Sequence, residues 1–367
     1  MLDVASWVDH VQGFSAGASA TPAASAFFRL GDLCLRLDSE PESFLAAFRA
    51  QWADCLVAQP LADLPVLRCS ARARPGSSLL TLSFSGDAIP DTLEASGTPV
   101  RMLRHLARYQ PQDGPAPGWR MLAERGESPR VLAAAGEDRL VIDLDEAPPD
   151  FAIDALLAIV QAAQPRTLFL HAASLDIAGA GALLIGAAQA GKSTTALALA
   201  ARGHPLYGDD IAAIRAERGE LLPLRRTLRL RPGPSAAAIA PRLREVPHAF
   251  IVDPSGTPRT LVRAGELFAP LPGDALALRF AFVLDGFAAQ PGLTRFSPDI
   301  AAVQSLKGVV SESVPAWARS PGRDLMKFLS VVHVLSRLAC YRLRLGTPDA
   351  SAAAIETLVM EATCNST

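Results

Sequence analysis

Lysine is almost missing from this sequence: of 35 Lys+Arg residues only Lys192, Lys307 and Lys327 are lysines. Aromatic residues make up 6 %, and neither sign of charge dominates, with 37 Asp+Glu and a formal net charge of −2. A general nucleic-acid binder carries a basic excess, so that class is set aside. No apolar run approaches the roughly 18 residues that cross a bilayer. The opening stretch MLDVASWVDHVQG contains Asp3 and Asp9 and lacks the basic n-region of a secretory signal. The five cysteines, Cys34, Cys55, Cys69, Cys340 and Cys364, are odd in number, widely spaced and never form CxxC. They fit reduced thiols better than a disulfide frame or a zinc site. These absences predict a cytoplasmic protein with no membrane or nucleic-acid partner.

Half of the 367 residues are hydrophobic and a fifth are charged, which supplies a core and argues against global disorder. The length suggests two domains, and the pattern changes near residue 150. Residues 1–150 read as a β-rich α+β domain. FFRLGDLCLRL (27–37) is extended around a Gly-Asp turn, and Phe44, Phe48 and Trp52 recur at helical spacing over 41–57. Two strands flank Arg74-Pro75-Gly76, PQDGPAPG (111–118) is loop chemistry, and 130–144 reads as a hairpin. With no catalytic constellation, this half is expected to be a scaffold or substrate-recognition domain.

Residues 151–367 alternate strands and helices, which implies an α/β core. The expected elements are an amphipathic helix over 151–164 with Ile153, Leu156, Leu157 and Val160 on one side, a strand over 166–177 and another over 181–186. A helix from Lys192 is stopped by Gly203, and a strand then ends in Asp209-Asp210. A hairpin turns at Arg218-Gly219 and a buried strand covers 280–287. Helices over 298–310 and 324–338, a strand in ACYRLRLG and a final helix capped near Asp349 complete the chain.

Chemistry concentrates at residues 186–193. Gly186, Ala187, Ala188, Gln189, Ala190, Gly191, Lys192 and Ser193 form a full GxxxxGK[ST] loop, followed by Thr194. Glycines let the backbone turn its N–H groups toward an anion, and the helix that follows adds its positive end. Lys192 would reach the β- and γ-phosphates, and the Ser193 hydroxyl would bind Mg²⁺. From composition alone the pattern should arise by chance about 0.002 times in a chain of this length. A plain glycine turn needs no lysine, least of all here.

Asp209 and Asp210 follow at the end of a strand, where open α/β sheets bind ligands. One carboxylate can help to hold Mg²⁺ while the other accepts a proton from a hydroxyl. Neighbouring carboxylates repel, which raises one pKa and suits that group to act as base. Solvated turn acids are the blander reading. Arg229 and Arg231 alternate with leucines on a strand, and with Arg225 and Arg226 they could hold a phosphate or an acidic substrate segment, or simply form a solvated face. His204 reads as a turn residue and Asp285 as a structural acid.

His171-Ala-Ala-Ser-Leu-Asp-Ile, the P-loop, the helix ending Ala-Arg-Gly and then Tyr-Gly-Asp209-Asp210 together resemble the HPr kinase/phosphorylase family. The order is similar to that of the HPr-kinase-like proteins that act on precursors of peptide natural products, lasso peptides included. The resemblance covers roughly 150–345. It implies a P-loop kinase core of the HPr-kinase/PEP-carboxykinase-like type that uses ATP and Mg²⁺. Asp209 corresponds to the catalytic base, Lys192 and His171 to active-site groups, and Ser193 and Asp210 to metal-proximal groups, while Arg226 and Arg229 are weaker candidates for a phosphate or substrate. The implied acceptor is a serine or threonine hydroxyl of a peptide or small protein, and assembly into a homo-oligomer stays open. The second signature of HPr kinases, Glu-Ile-Arg-Gly-Leu-Gly, is not found here, so HPr itself is not the expected acceptor. A small-molecule kinase and a nucleotide-binding module without transfer are the alternatives.

Overall fold

A computed structural model describes residues 24–73, 76–86, 109–113, 120–124, 131–135, 139–145, 151–252, 256–298 and 321–364. Their contacts form two units: residues 24–49 with the described part of 56–165, and residues 50–55 with the described part of 166–364. The boundary thus falls after residue 165 and not at 150, and a short piece of the N-terminal half belongs to the second unit. The helix expected over 298–310 and Lys307 lie outside the described residues. No described helix is long and apolar enough to cross a membrane.

The first unit is β-rich. Strands β1 (Ala24–Arg29) and β2 (Cys34–Ser39) pair antiparallel through a turn closed by Leu30 N–H to Leu33 O at 2.9 Å, with Gly31 at φ 72°. After helix α1 (Glu42–Gln51) come β3 (Leu56–Val57), β4 (Val66–Ala73) and β5 (Leu79–Gly86), then β6 (Tyr109–Asp113), β7 (Arg120–Glu124), β8 (Val131–Ala135) and β9 (Arg139–Asp143). Among the described residues they build one sheet in the order β3-β1-β2-β4-β5-β9-β8-β7-β6. The start of the loop expected over 111–118 is strand. Pro111 lies on β6, the last strand in the order among the described residues, and edge strands are where a sheet accommodates proline. Phe48 is fully buried and meets Phe28 edge to face at 4.9 Å, so the aromatic stripe of α1 is core. Helix α2 (Phe151–Ala162) belongs to this unit, and the Gln164 side chain just beyond it accepts from Asp32 N–H at 2.8 Å. Phe151, Ala155, Ala158 and Ile159 are buried beside the four expected residues, so α2 is apolar nearly all round.

The second unit is a three-layer α/β fold. Strands β10 (Thr167–Leu170), β11 (Ala173–Ile177) and β12 (Ala180–Ile185) lead to α3 (Lys192–Ala201) and then to β13 (Leu206–Gly208), β14 (Ala212–Arg215) and β15 (Glu220–Leu222). Next come β16 (Leu228–Leu230), α4 (Pro234–Leu243), β17 (His248–Val252), β18 (Pro258–Val262) and the short α5 (Ala264–Leu267). The chain closes with β19 (Leu276–Phe287), β20 (Gly292–Phe296), α6 (Pro321–Ser336), β21 (Ala339–Leu345) and α7 (Pro348–Cys364). The main sheet runs β10-β14-β15-β19-β12-β11-β13, with β21 parallel to β19 on another part of its length, and β16-β18-β17 form a separate small sheet.

Strand alternation assigns each side chain to a face. Ala182 and Leu184 of β12 and Phe280, Phe282 and Leu284 of β19 pack with α3 and with Ala352, Ile355 and Val359 of α7. Leu183, Ile185, Ala281 and Val283 face Val331, Val334 and Leu335 of α6. The single strand expected over 166–177 is two strands: the chain bends at His171, with Ala172 N–H bonded to Leu170 O at 2.9 Å. Leu170 then pairs with β14, while Ala173 pairs with β12. The start of α7 also differs, since its orphan donors go to Thr347: Ser351 N–H reaches Thr347 O at 2.9 Å and Ala350 N–H reaches Thr347 Oγ1 at 3.3 Å.

Candidate active site

The loop after β12 delivers its residues to the carboxyl end of the sheet. Two positions take left-handed backbone, Gln189 at φ 65° and Gly191 at φ 99°. A β-carbon at Gly191 would stand 2.6 Å from Leu345 Cδ1, a side-chain tip that can move, so it is the left-handed backbone that calls for glycine there. A β-carbon at Gly186 would stand 3.0 Å from Ala190 Cβ, which leaves the loop closely wound on itself. Lys192 is buried, and its Nζ donates to Gly186 O at 2.8 Å and Ala187 O at 3.0 Å. The Thr194 and Ser235 hydroxyls lie 2.5 Å apart, tying the start of α3 to the start of α4.

The two acids follow β13 directly. Gly208 fixes their approach, because a β-carbon there would stand 2.5 Å from Ile211 O and 2.7 Å from Leu224 O. The bend at His171 brings its ring to Asp210, with Nδ1 2.9 Å from both the backbone O and Oδ1 of that residue. A carbonyl oxygen only accepts, so Nδ1 carries the proton. Burial and repulsion from Asp210 push the Asp209 carboxyl up to about 7, against the pull of Arg226 and His171. Burial also acts on Asp210, but the His171 hydrogen bond and the charges of His171, Arg226 and Lys192 outweigh it and hold that carboxyl below the usual aspartate value. Although enclosed by protein, Asp210 keeps 48 % side-chain exposure toward the cavity. The pair is split, one carboxyl ready to hold a proton near neutrality and the other kept ionised.

A cavity of about 720 Å³ is lined by His171, Ala188, Gln189, Gly191, Lys192, Ser193, Thr194, Asp209, Asp210, Arg226 and Arg229. Gly186, Ala187 and Ala190 shape the loop beneath it. Arg226 bonds Gln51 Oε1 and lies 5.9 Å from the Trp52 ring centre. Arg225, by contrast, is fully buried: it pairs with Asp54 at 2.9 Å and donates to Leu206 O at 2.8 Å and Ala269 O at 3.2 Å. It clamps β13 and is unavailable to a ligand. His204 meets Glu356 at 3.1 Å, and Asp285 lies 3.7 Å from Arg342, neither of them among the lining residues.

Arg259 and Phe287, which the sequence did not single out, line the same cavity. In the small sheet Arg229 stands opposite Leu261, two residues from Arg259 on β18, so both arginines lie on one face. Only the pairing of β16 with β18 brings them together.

Ser193 and Asp210 fit Mg²⁺, a hard cation that takes few protein oxygens when phosphates supply the others. Among the described residues no group of three His, Cys, Asp or Glu side chains is arranged to hold a metal. A phosphate-assisted site does not require one.

Strand, glycine loop and helix over 180–201, with acids at the end of β13, form the arrangement of a P-loop in an α/β fold. The HPr Serine kinase C-terminal domain family matches residues 163–227. An HPr kinase/phosphorylase of Caldanaerobacter subterraneus is 37 % identical over 85 residues, 23 % of this chain and 28 % of that protein. One of Bacillus pumilus is 46 % identical over 56 residues, 15 % of this chain and 18 % of that protein. A solved structure, the Hpr(Ser) kinase/phosphatase from Coxiella burnetii, aligns with 54 % of this chain and 91 % of its own at 16 % identity and a TM-score of 0.28. The chain therefore spans less than a third of the length of these curated relatives. The matched segment, which holds the P-loop and both acids, is HPr kinase-like.

Proposed function

We propose that this protein is an ATP- and Mg²⁺-dependent kinase that transfers the γ-phosphoryl group to a hydroxyl, most simply a serine or threonine of a peptide or small protein. The observation that carries the reading is one cavity lined by Lys192 and Ser193 of a P-loop and by an aspartate pair of opposite pKa displacement. Lys192 exchanges its two loop carbonyls for phosphate oxygens, and loop N–H groups cradle the rest of the chain of phosphates. Asp209 takes the acceptor's proton as the new O–P bond forms and the bond to the ADP oxygen breaks. His171 keeps Asp210 ionised and aimed; Ser193 and Asp210 would hold Mg²⁺, which would supply positive charge against that of the transferred group. Arg226 and Arg229 face the same space and suit an anionic part of the acceptor. In the cell we place the protein in the cytoplasm, with residues 1–150 as a scaffold or substrate-recognition domain.

The test is a thermal shift with MgATP on wild type and Lys192→Ala, followed by labelling of a source-cell extract with γ-labelled ATP. Ligand at ~100 times its Kd stabilises by about 2.7 kcal/mol, roughly 5–10 °C here. That shift should vanish in Lys192→Ala, and labelling of an extract component should vanish in Asp209→Asn. Binding without any labelled acceptor would favour the non-catalytic nucleotide module, and a labelled metabolite would favour the small-molecule kinase.

A further inference from the structure

We propose that Phe287 is the platform on which the base of the bound nucleotide stacks, an inference that rests on the nucleotide-site reading above. Sheet order sets the direction of the ligand. The P-loop leaves β12; the acids leave β13 on one side of it, while β19 and β21 lie on the other, both parallel to β12 and opening on the same rim. A triphosphate with its terminal phosphate toward Asp209 and Asp210 therefore runs its other end toward the ends of β19 and β21.

Phe287 stands at that place. It ends β19, lines the cavity and is 65 % exposed. Its orientation is built by a bulge: the β19–β21 register shifts between Leu284 and Phe287, and Gly286 takes φ 83°. Regular alternation would turn Phe287 to the face of Ala281 and Val283, under α6. Instead the ring lies on the P-loop side, where a side chain at Gly191 would meet Phe287 Cε1 and Cζ at 3.9 Å. The backbone at Phe287 is fixed from β21, with Ala288 N–H donating to Leu345 O at 2.7 Å and Arg344 Nη2 donating to Phe287 O at 3.4 Å. The result is an exposed ring on a fixed backbone. A phenyl face holds a base by stacking and offers no hydrogen bond with which to choose among bases. Adenine and guanine nucleotides should depend on it alike.

Calorimetric titration of the full chain with MgATP, MgGTP and magnesium tripolyphosphate tests this on wild type, Phe287→Ala and Phe287→Trp. Loss of one stacked base is expected to weaken MgATP and MgGTP about tenfold in Phe287→Ala. Tripolyphosphate should bind as before, and Phe287→Trp should retain the nucleotides. An equal loss for all three ligands, or no loss, overturns the platform. So does a wild type that binds tripolyphosphate as tightly as MgATP, an outcome that keeps the phosphate site. If wild type binds none of the three, the nucleotide reading itself falls. Sedimentation of the same samples closes the remaining route: a changed assembly state with unchanged nucleotide affinity assigns the ring to a contact between copies and overturns the proposal.

Discussion

Removing the Asp54 carboxylate leaves the Arg225 guanidinium, 0 % exposed, with only the carbonyls of Leu206 and Ala269 and no counter-charge. Breaking one partner of a buried pair costs about 3–5 kcal/mol, so Asp54→Ala should lower the urea midpoint of the second unit sharply. Asp54→Asn, which keeps an acceptor oxygen, should lose less. Because Arg225 also holds β13, the damage should reach the acids and lower nucleotide-dependent stabilisation. At Asp209 the expectation is the reverse: Asp209→Asn removes an acid whose ionisation the fold disfavours, so stability should hold or rise near neutral pH while phosphoryl transfer is lost. Equilibrium unfolding and a transfer assay on the same variant separate the two effects.

At the scale of elements, Gly208 is where β13 must pass between two carbonyls, and Gly208→Ala should displace Asp209 and Asp210. Transfer should fall by more than tripolyphosphate affinity, since the P-loop lies on another strand. Helices α3 and α7 are joined by a charge cluster in which Arg202 meets Glu356 at 2.6 Å and Asp349 at 3.1 Å, with His204 on the other Glu356 oxygen. The Arg202 hydrogen bond holds the Glu356 carboxyl below its usual range. Its contribution is therefore present above the ordinary glutamate pKa and is lost as pH falls through the lowered value. For a partly exposed pair this is under about 1 kcal/mol, so urea midpoints of wild type and Glu356→Gln should differ slightly at pH 7 and converge in acid. Elements with strong local pattern were legible in the sequence: the P-loop and α3, the hairpin at Gly219, and α7. The small sheet was not, because β17 is mostly exposed and β18 has a proline-flanked, mixed pattern that shows no burial until it pairs with β16. The break at His171 was also hidden, since apolar residues continue on both sides and only the change of partner strand reveals the bend. Phe287 looked like the end of a buried strand because a bulge, set by one glycine, is needed to turn it out.

For the whole molecule, the boundary read at residue 150 was drawn where composition changes, but contacts follow a different line. Residues 50–55 supply Asp54 to Arg225, and Ala50 and Gln51 carbonyls to Thr227, with Gln51 O accepting from Thr227 N–H at 2.8 Å. A fragment beginning at Arg166 lacks all of these, and its urea midpoint should fall below that of the same unit in the full chain. The same six residues also bear on the order of events during synthesis. Asp54 and Arg225 are 171 positions apart, so at about 5–20 residues per second one waits on the order of 10–35 s for the other to be made. The chain between them contains residues 56–165 of the first unit, whose residues 24–49 are made before Asp54. If that unit folds while it waits, it draws the ends of a long loop together before the second unit asks for the contact. The N-terminal half would then act, once per molecule, as a folding template for the half that carries the P-loop.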